Sequence, residues 1–282
     1  MDMEEIFAAY KEAVITGNAT KAITLMPSLL PPKLYHFTSF SEYWYSKIIQ
    51  GQLFLSNPAL FNDPYDCRIQ GNKEYWIDNY LLNHSVPNKE QYRKDLLDGT
   101  IQLSIDGRVM TMTEYTEKAC NEYKEHFRIA CLSEVRDSML MWSHYAGMHS
   151  GYALELDTSR ILLSALDKIH LRKVVYDTQP ITIEKLMQFT NKEPFLLCKS
   201  PEWEYEKEWR YFAMQEAFWD ISNYITAIYI GSRFDTKRHF HELRTIQKHC
   251  QEYGLKLYKM ELDDASYKLI PKDITTTTII YE

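Results

Sequence analysis

Residues 131–156 read CLSEVRDSMLMWSHYAGMHSGYALEL. The apolar run at the start and the run GYALEL at the end have the pattern of buried β-strands. The segment SMLMWSHYA between them has helical spacing, with Met139, Trp142 and Tyr145 or Ala146 on one side. The stretch therefore predicts a strand, a short helix and a second strand. Its aromatic side chains either belong to the core or line a ligand cleft beside the helix.

Strand-like and helical segments mix along the rest of the chain without regular alternation. The strand-like runs are KLYHFTS (33–39), LFLSNP (53–58), HLRKVVYD (170–177), EWRYFAM (208–214), ITAIYIG (225–231), LKLYKMEL (255–262) and TTTIIYE (276–282). The further helical patterns cover 40–52, 158–168, 180–191 and 235–253. We therefore predict an α+β fold with a mixed, largely antiparallel sheet core.

The ends of these patterns indicate a domain organisation. Residues 3–30 predict two short helices that Pro31-Pro32 ends, so we expect residues 1–32 to form an N-terminal helical appendage. We expect residues 33–282 to form a single α+β domain. Within it, the charged and mostly helical residues 73–126 predict an insertion, with a turn at 104–110.

Composition limits the class of protein. The chain has 282 residues, of which 45% are hydrophobic and 25% charged, as is usual for soluble globular proteins. The net charge of -7 and the lack of a Lys/Arg run disfavour a general nucleic-acid binder, while a single nucleotide or a protein target fits. Five widely spaced cysteines without C-x-x-C disfavour a zinc ribbon or a disulfide framework. With no signal-peptide core and no apolar run near ~18 residues, we expect a cytoplasmic protein with no membrane association.

The segment FNDPYD, residues 61–66, concentrates polar residues around a proline. Asn and Asp side chains bond to nearby backbone groups and shape turns. Asn62 and Asp63 are therefore either parts of a structural turn or a polar rim that holds a ligand. A calcium loop needs more oxygen donors than this segment offers.

The segment SPEWEYEKEWRYF, residues 200–212, carries an unusual density of acids and aromatics. In an extended conformation Glu206, Glu208 and Arg210 share one face. The glutamates are either solvated or a functional pair that perturb each other while Arg210 holds one ionised. We expect Arg210 to pair with Glu208 or with a carboxylate of FNDPYD.

The histidines give weaker signals. His36 lies between aromatic residues on the first predicted strand, where it is either a core residue or a catalytic one. His144 and His149 lack the H-E-x-x-H pattern of zinc proteases. We predict no metal site.

Four segments taken in order resemble the bacterial family known as domain of unknown function 2971. They are LYHFTS with LFLSNPALFNDPYD, then CLSEVRDSMLMWSHYAGMHSGYALEL, then KSPEWEYEKEWRYF, then ITAIYIGSRF. The resemblance covers about residues 33–270.

The order of a strand His, a central Tyr-bearing block and a later E-x-E is similar to that of ADP-ribosyltransferases. This resemblance implies that NAD is the substrate and that His36 contacts its ribose. It implies that Tyr145 or Trp142 stacks on nicotinamide. It also implies that Glu208, with Glu206 two residues before it, stabilises the cationic ribose centre. The remaining residues expected at the ligand site are Asn62, Asp63, Arg210 and His149.

The resemblance therefore implies ADP-ribosyl transfer from NAD to a macromolecule, either protein or nucleic acid, in a toxin or phage-defence setting. On this resemblance we expect His36, Tyr145 and Glu208 to converge on one concavity. The alternative is a non-catalytic module that binds a nucleotide or a protein in the same cleft. A third class is a hydrolase that uses Glu206 and Glu208 as a carboxylate pair. The sequence indicates neither the acceptor nor the oligomeric state.

Overall fold

A computed structural model of the chain describes residues 2–69, 72–105, 107–189 and 194–278. The helices are α1 (Met3–Ile15), α2 (Ala19–Leu29), α3 (Glu42–Ile49), α4 (Lys73–Asn83), α5 (Lys89–Asp98), α6 (Met112–Lys124), α7 (Met139–Tyr145), α8 (Thr158–Leu163), α9 (Asp167–His170), α10 (Ile183–Gln188), α11 (Pro194–Leu197) and α12 (Phe240–Tyr253). The strands are β1 (Lys33–Thr38), β2 (Gln52–Phe54), β3 (Leu103–Ile105), β4 (Arg108–Met110), β5 (Phe127–Ser133), β6 (Tyr152–Asp157), β7 (Leu171–Lys173), β8 (Val175–Tyr176), β9 (Cys198–Lys199), β10 (Glu208–Met214), β11 (Phe218–Asp220), β12 (Ile225–Ile230), β13 (Lys256–Leu262) and β14 (Leu269–Asp273). Short 3-10 helices cover Pro58–Leu60 and Pro201–Glu206.

The chain forms two compact units, each built from three segments. The first unit consists of Met1–Met26, Asn57–Arg128 and Val175–Glu202. The second consists of Pro27–Ser56, Ile129–Val174 and Trp203–Glu282. The predicted insertion at 73–126 lies within the first unit, and the division at residue 32 stays a prediction.

The first unit is mainly helical. An apolar core forms where α4, α5 and α6 meet the β3–β4 hairpin; its buried members are Ile77, Tyr80, Leu81, Leu96, Leu103, Met110 and Met112. The hairpin pairs Leu103 with Met110. The turn predicted at 104–110 is thus part of a small antiparallel ribbon. Thr111 caps α6 through a capping box with Glu114, which fixes where the helix begins.

The second unit contains an eight-stranded sheet with the order β14-β13-β12-β6-β1-β5-β10-β7. The pairs β1·β5, β1·β6, β6·β12, β7·β10 and β13·β14 are antiparallel, and β12·β13 is parallel. The predicted α+β class with a mixed, largely antiparallel sheet is therefore confirmed.

The stretch 131–156 forms the end of β5, helix α7 and strand β6, as predicted. Both strands are antiparallel to β1, which lies between them, so they are parallel to each other. A parallel pair needs a crossover connection, and α7 supplies it. Helix α7 packs on the sheet face that carries Tyr35, Phe37 and Tyr229, and we call this set with its neighbours the α7 core; its buried members are Tyr35, Phe37, Met141, Trp142, Ala146, Ala153, Ala227, Tyr229, Met260 and Leu269.

Asp167, the first residue of α9, ties several elements of the second unit together. Its carboxylate accepts hydrogen bonds from Tyr211 Oη at 3.0 Å and Trp219 Nε1 at 3.1 Å. Tyr224 Oη and Ser164 Oγ donate to its other oxygen. The Tyr211 and Trp219 rings stack with centroids 3.9 Å apart. Helix α9 is thereby fixed to β10 and to β11.

One predicted strand near the C-terminus lies mostly outside the described residues, and another strand there was not predicted. The strand predicted at 276–282 falls mostly on residues 279–282, which lie outside the described residues. Strand β14, at Leu269–Asp273, pairs with β13 and has no counterpart among the strands predicted from the sequence. None of the helices in the described ranges combines the length and hydropathy needed to cross a bilayer.

Candidate functional site

Trp142 is the buried centre of α7. Its side chain is 0% exposed, and its ring meets Phe37 edge to face at 5.3 Å between centroids. The indole Nε1 donates to Arg136 O at 2.7 Å. Ser138 caps the helix by accepting a hydrogen bond from Met141 N. Trp142 therefore belongs to the core, the simpler of its two predicted roles.

The turn after α7 is held in an unusual backbone conformation. Gly147, Met148 and His149 have φ values of 54°, 53° and 70°, the left-handed region that non-glycine residues seldom adopt. The His149 N–H donates to Trp142 O at 3.0 Å. A Cβ placed on Gly231 would lie 2.0 Å from His149 O, so only glycine fits there. The turn at residues 148–151 therefore packs closely against Gly231, directly after β12, and this contact needs a glycine at position 231.

The His149 imidazole lies beside this turn. Its Nδ1 is buried, and no hydrogen-bond partner for it is found in the described part of the chain. Burial, with a smaller contribution from Arg233, lowers the pKa of His149. The ring is therefore neutral near pH 7. A ligand role for His149 stays a prediction.

Tyr145, at the C-terminal end of α7, contacts Glu206. The Tyr145 hydroxyl donates to Glu206 Oε1 at 2.5 Å, and the Glu206 side chain is 3% exposed. Ser133 Oγ donates to Glu206 O at 2.6 Å. These bonds join the end of β5, the end of α7 and the segment before β10. The structure therefore brings together two of the predicted site residues, 61 positions apart.

An aromatic cluster, which we define as His144, Tyr145, Trp203 and Tyr205, borders this carboxylate. The ring of His144 lies 6.2 Å from Tyr145, 6.4 Å from Trp203 and 6.5 Å from Tyr205, between centroids. The Trp203 and Tyr205 rings are 6.0 Å apart. Trp203, Tyr145 and Tyr205 are only partly buried and His144 is exposed. Partly exposed rings next to an acid can take a flat heterocycle.

The strand predicted at 208–214 is confirmed, whereas the residues before it are not extended. Pro201–Glu206 is a 3-10 helix, and the strand begins at Glu208. Proline favours the first turn of a helix because its φ is fixed and its missing N–H has no partner there. Lys207 has φ 44° and separates the two elements. Glu206 and Glu208 therefore do not follow the strand alternation that the sequence indicated.

Glu208 and Arg210 form a buried ion pair on β10. Arg210 Nε donates to Glu208 Oε1 at 2.7 Å and Nη2 donates to Oε2 at 3.1 Å. The two side chains are 3% and 0% exposed. This fork-like geometry is the strongest form of a charged hydrogen bond. The prediction that Arg210 pairs with an acid such as Glu208 is confirmed.

Glu134 takes part in a contact that the sequence analysis missed. Its Oε1 accepts a hydrogen bond from Trp209 Nε1 at 2.8 Å and forms an ion pair with Lys173. The signal in the sequence was an acid directly after the β5 strand pattern. The partners lie on β10 and β7, which sequence periodicity alone does not place beside β5.

His36 lies on the other side of β1. Tyr35 and Phe37 belong to the α7 core, and alternate residues of a strand point to opposite faces. The His36 ring Nδ1 lies 2.9 Å from Cys131 O. Burial lowers the pKa of His36, and the hydrogen bond to Cys131 opposes this only in part. His36 and Tyr145 therefore lie on opposite faces of β1, which differs from the predicted convergence.

Asn62 and Asp63 lie in the first unit. Asp63 Oδ1 accepts a hydrogen bond from Tyr65 N at 2.8 Å, which is an Asx turn. Asp66, three residues on, forms a buried ion pair with Lys199 at 3.6 Å. Asn62 is exposed. The segment has the structural role that the sequence left open, and ligand roles for Asn62 and Asp63 stay predictions.

Glu155 on β6 is the centre of a second polar network, on the face of the sheet that packs against α7. It accepts hydrogen bonds from Tyr229 Oη at 2.7 Å and Thr226 Oγ1 at 2.8 Å, and pairs with Lys33 at 3.3 Å. Burial raises the pKa of Glu155, but these three contacts outweigh it and hold the pKa below its usual range. The same acid and burial raise the pKa of Tyr35 to about 12. The local sequence around Glu155 carries no pattern that indicates this role.

Within the described ranges, no group of three or more His, Cys, Asp or Glu side chains is arranged to hold a metal ion. The polar groups around α7 can instead position an organic ligand. They offer a buried carboxylate at Glu206, aromatic faces and, before α7, the guanidinium of Arg136.

Comparison with known proteins gives one finding. The family model "Protein of unknown function (DUF2971)" matches residues 141–211, which run from α7 to β10. No curated protein and no solved structure matches the chain. The matched segment contains Tyr145, Glu206, Glu208 and Arg210. The part of the chain that builds the Tyr145–Glu206 contact and the Glu208–Arg210 pair is therefore similar to DUF2971 proteins.

Proposed function

We propose that this chain is an ADP-ribosyltransferase-like enzyme that uses NAD to modify a macromolecule, with Glu206 as the carboxylate beside the ribose. The observation that carries the proposal is the contact of Tyr145 with Glu206 at 2.5 Å next to the aromatic cluster. Aromatic faces suit the nicotinamide ring. The acceptor is a protein or a nucleic acid.

In the proposed reaction the bond between the ribose carbon and nicotinamide breaks, and its electron pair stays with the nicotinamide nitrogen. Positive charge then develops on the ribose, and a nearby carboxylate stabilises it electrostatically. A nucleophile of the acceptor attacks the ribose carbon and loses its proton to solvent. The Tyr145 hydroxyl keeps the Glu206 carboxylate in one orientation throughout.

Glu206 is preferred over Glu208 because its hydrogen bond from Tyr145 places it beside the aromatic cluster, whereas Glu208 pairs with Arg210 on β10. Arg210 binds both oxygens of Glu208, so this acid stabilises the strand and offers little charge to a ligand. The ribose contact predicted for His36 is not part of the proposal, because His36 points away from the α7 core.

A second candidate is a non-catalytic module that binds a nucleotide or a protein at the same aromatic cluster. The low exposure of Glu206, 3%, and its hydrogen bond to Tyr145 favour it, since structural carboxylates are usually buried and satisfied in this way. The two candidates differ in one outcome: whether bound NAD is cleaved.

The test is nicotinamide release from NAD with cell extract as the source of acceptor. Glu206→Gln keeps the shape of the side chain and removes its charge, so we expect a rate loss of about 10²–10³. Glu204→Gln is the matched control, because Glu204 is exposed in the same 3-10 helix; its rate should equal that of wild type. Equal rates for Glu206→Gln and wild type would remove Glu206 from the reaction.

Binding is measured in parallel as the thermal stabilisation of the protein by NAD and by ADP-ribose. Stabilisation without nicotinamide release favours the binding module. If NAD and ADP-ribose do not stabilise the protein and no acceptor tried gives nicotinamide release, both candidates are overturned for this ligand.

A further inference from the structure

Arg136 stands in the loop between β5 and α7 and is partly buried. Its guanidinium carbon lies 5.4 Å from the centre of the Tyr229 ring. Its Nε is buried and has no hydrogen-bond partner among the residues that the structure describes. In the described part of the chain no carboxylate forms an ion pair with it. A partly buried cation without a matching anion is costly, which points to a partner supplied from outside.

The acids close to Arg136 have other partners or lie in solvent. Glu155 forms an ion pair with Lys33 at 3.3 Å and accepts a hydrogen bond from the Tyr229 hydroxyl at 2.7 Å. Asp137 follows Arg136 in the chain and is exposed. Arg136 is therefore a partly buried cation whose charge is met in part by a hydrogen bond with the Tyr229 side chain and by the nearby Asp137, with no ion pair among the described residues.

The surroundings of Arg136 favour a phosphorylated ligand with an aromatic ring. A guanidinium fork matches the oxygens of a phosphate. Tyr229 stacks on Tyr258 with centroids 4.8 Å apart and planes inclined by 14°. Tyr258 is partly exposed, so an aromatic face lies close to the charge. A carboxylate ligand would use the charge but not the aromatic face.

Helix α7 links Arg136 to the site proposed above. Trp142 Nε1 donates to Arg136 O at 2.7 Å, and Tyr145, one turn later, donates to Glu206 at 2.5 Å. Residues three apart lie on the same side of a helix. A helix of the length of α7 spans about 10 Å at 1.5 Å per residue. Arg136 and Glu206 are thus held near the two ends of one rigid element.

We propose that Arg136 binds a phosphate group of the nucleotide ligand, in NAD the diphosphate. The identity of the ligand as NAD rests on the proposed function, whereas phosphate recognition by Arg136 does not. Arg136 is a binding residue and takes no part in bond breaking.

The experiment compares the affinities of ADP-ribose, inorganic pyrophosphate and adenosine for the full chain by calorimetry. We expect Arg136→Gln to lower the affinity for ADP-ribose and for pyrophosphate by about 10–100-fold, the usual loss for one charged hydrogen-bond partner. Adenosine, which carries no phosphate, should bind as tightly to the variant as to wild type. Arg136→Lys keeps the charge, so its affinity for ADP-ribose and pyrophosphate should lie between those of wild type and Arg136→Gln. Arg238→Gln, at an exposed arginine of the same unit, is the control and should change nothing.

Failure of this inference can be distinguished from failure of the proposed function. Phosphate binding that depends on Arg136, without nicotinamide release, supports Arg136 and overturns the transferase. Nicotinamide release with an unchanged KM for NAD in Arg136→Gln overturns the role of Arg136 alone. Wild-type protein that binds neither ADP-ribose nor pyrophosphate overturns it as well. If Arg136→Gln does not fold, Arg136→Lys and the salt dependence of wild-type affinity decide, because a phosphate contact weakens as salt rises.

Discussion

Removal of the Arg210 side chain is the sharpest test of how β10 is stabilised. Arg210→Met keeps an aliphatic chain in a site that is 0% exposed and leaves the Glu208 carboxylate, 3% exposed, without its two hydrogen bonds of 2.7 and 3.1 Å. Removing one partner of a buried ion pair typically costs about 3–5 kcal/mol, because a buried charge stays behind. We expect the free energy of unfolding to fall by that amount.

The matched control is an exposed pair in the same sheet. Lys256 and Asp273 are 3.0 Å apart, and their side chains are 58% and 43% exposed. Solvent screens such exposed surface pairs, so Lys256→Met should be nearly neutral. The assay is urea unfolding followed by tryptophan fluorescence. Equal unfolding midpoints for Arg210→Met and Lys256→Met would refute the reasoning.

A double-mutant cycle completes this prediction. Glu208→Gln alone should also destabilise the protein, because it leaves the guanidinium of Arg210 buried beside a neutral amide. The double variant Glu208→Gln/Arg210→Met contains neither charge and should recover part of the loss. Additive losses would show that the two side chains act independently.

Two further predictions concern the second unit. Gly231→Ala should lower the free energy of unfolding by about 2–4 kcal/mol, because the added Cβ would lie 2.0 Å from His149 O. The control Gly254→Ala should cost only about 1 kcal/mol, because no atom lies within 4 Å of its Cβ and only its φ of 67° is unfavourable. Equal losses for the two variants in urea unfolding would contradict this prediction. Asp167 has a pKa below its ordinary value of 3.8, because hydrogen bonds from Tyr224, Ser164 and Tyr211 outweigh the opposing effect of burial. The ionised form therefore stabilises the fold above that ordinary value, and the stabilisation is lost as the pH falls through the lower folded value. Acid unfolding followed by tryptophan fluorescence should show this loss in wild type and a weaker pH dependence in Asp167→Asn.

Local pattern was enough to predict the elements whose periodicity is strong. The strand–helix–strand stretch at 131–156 and the strand at 208–214 were predicted at the places where the structure has them. Their apolar residues recur with periods that only one element satisfies. Strand β14 was missed because its sequence, LIPKD, contains a proline and two charges. Proline is tolerated at a sheet edge, and β14 is the outermost strand of the order.

The site was harder to predict, because its geometry depends on contacts between distant segments. The sequence indicated that Tyr145 and Glu206 matter, but not that they touch. It treated Glu206 as part of a strand, and the change of backbone direction at Lys207, where φ is 44°, has no strong sequence signal. Arg136 and Glu155 were overlooked because their roles depend on neighbouring side chains from distant segments. The order of the strands in the sheet determines those neighbours.

The central position of β1 has a consequence for how the chain acquires its structure during synthesis. Residues 33–38 are synthesised well before their partners on β5 and β6, which are Ser133 and residues 152–157. Until those are made, Leu34, Tyr35 and Phe37 have no sheet to join. Pairing over such sequence separations is slow, and exposed apolar strands aggregate. The nascent chain is therefore expected to depend on protection from chaperones until β6 emerges, and a ribosome stalled before that point should yield a protease-sensitive product.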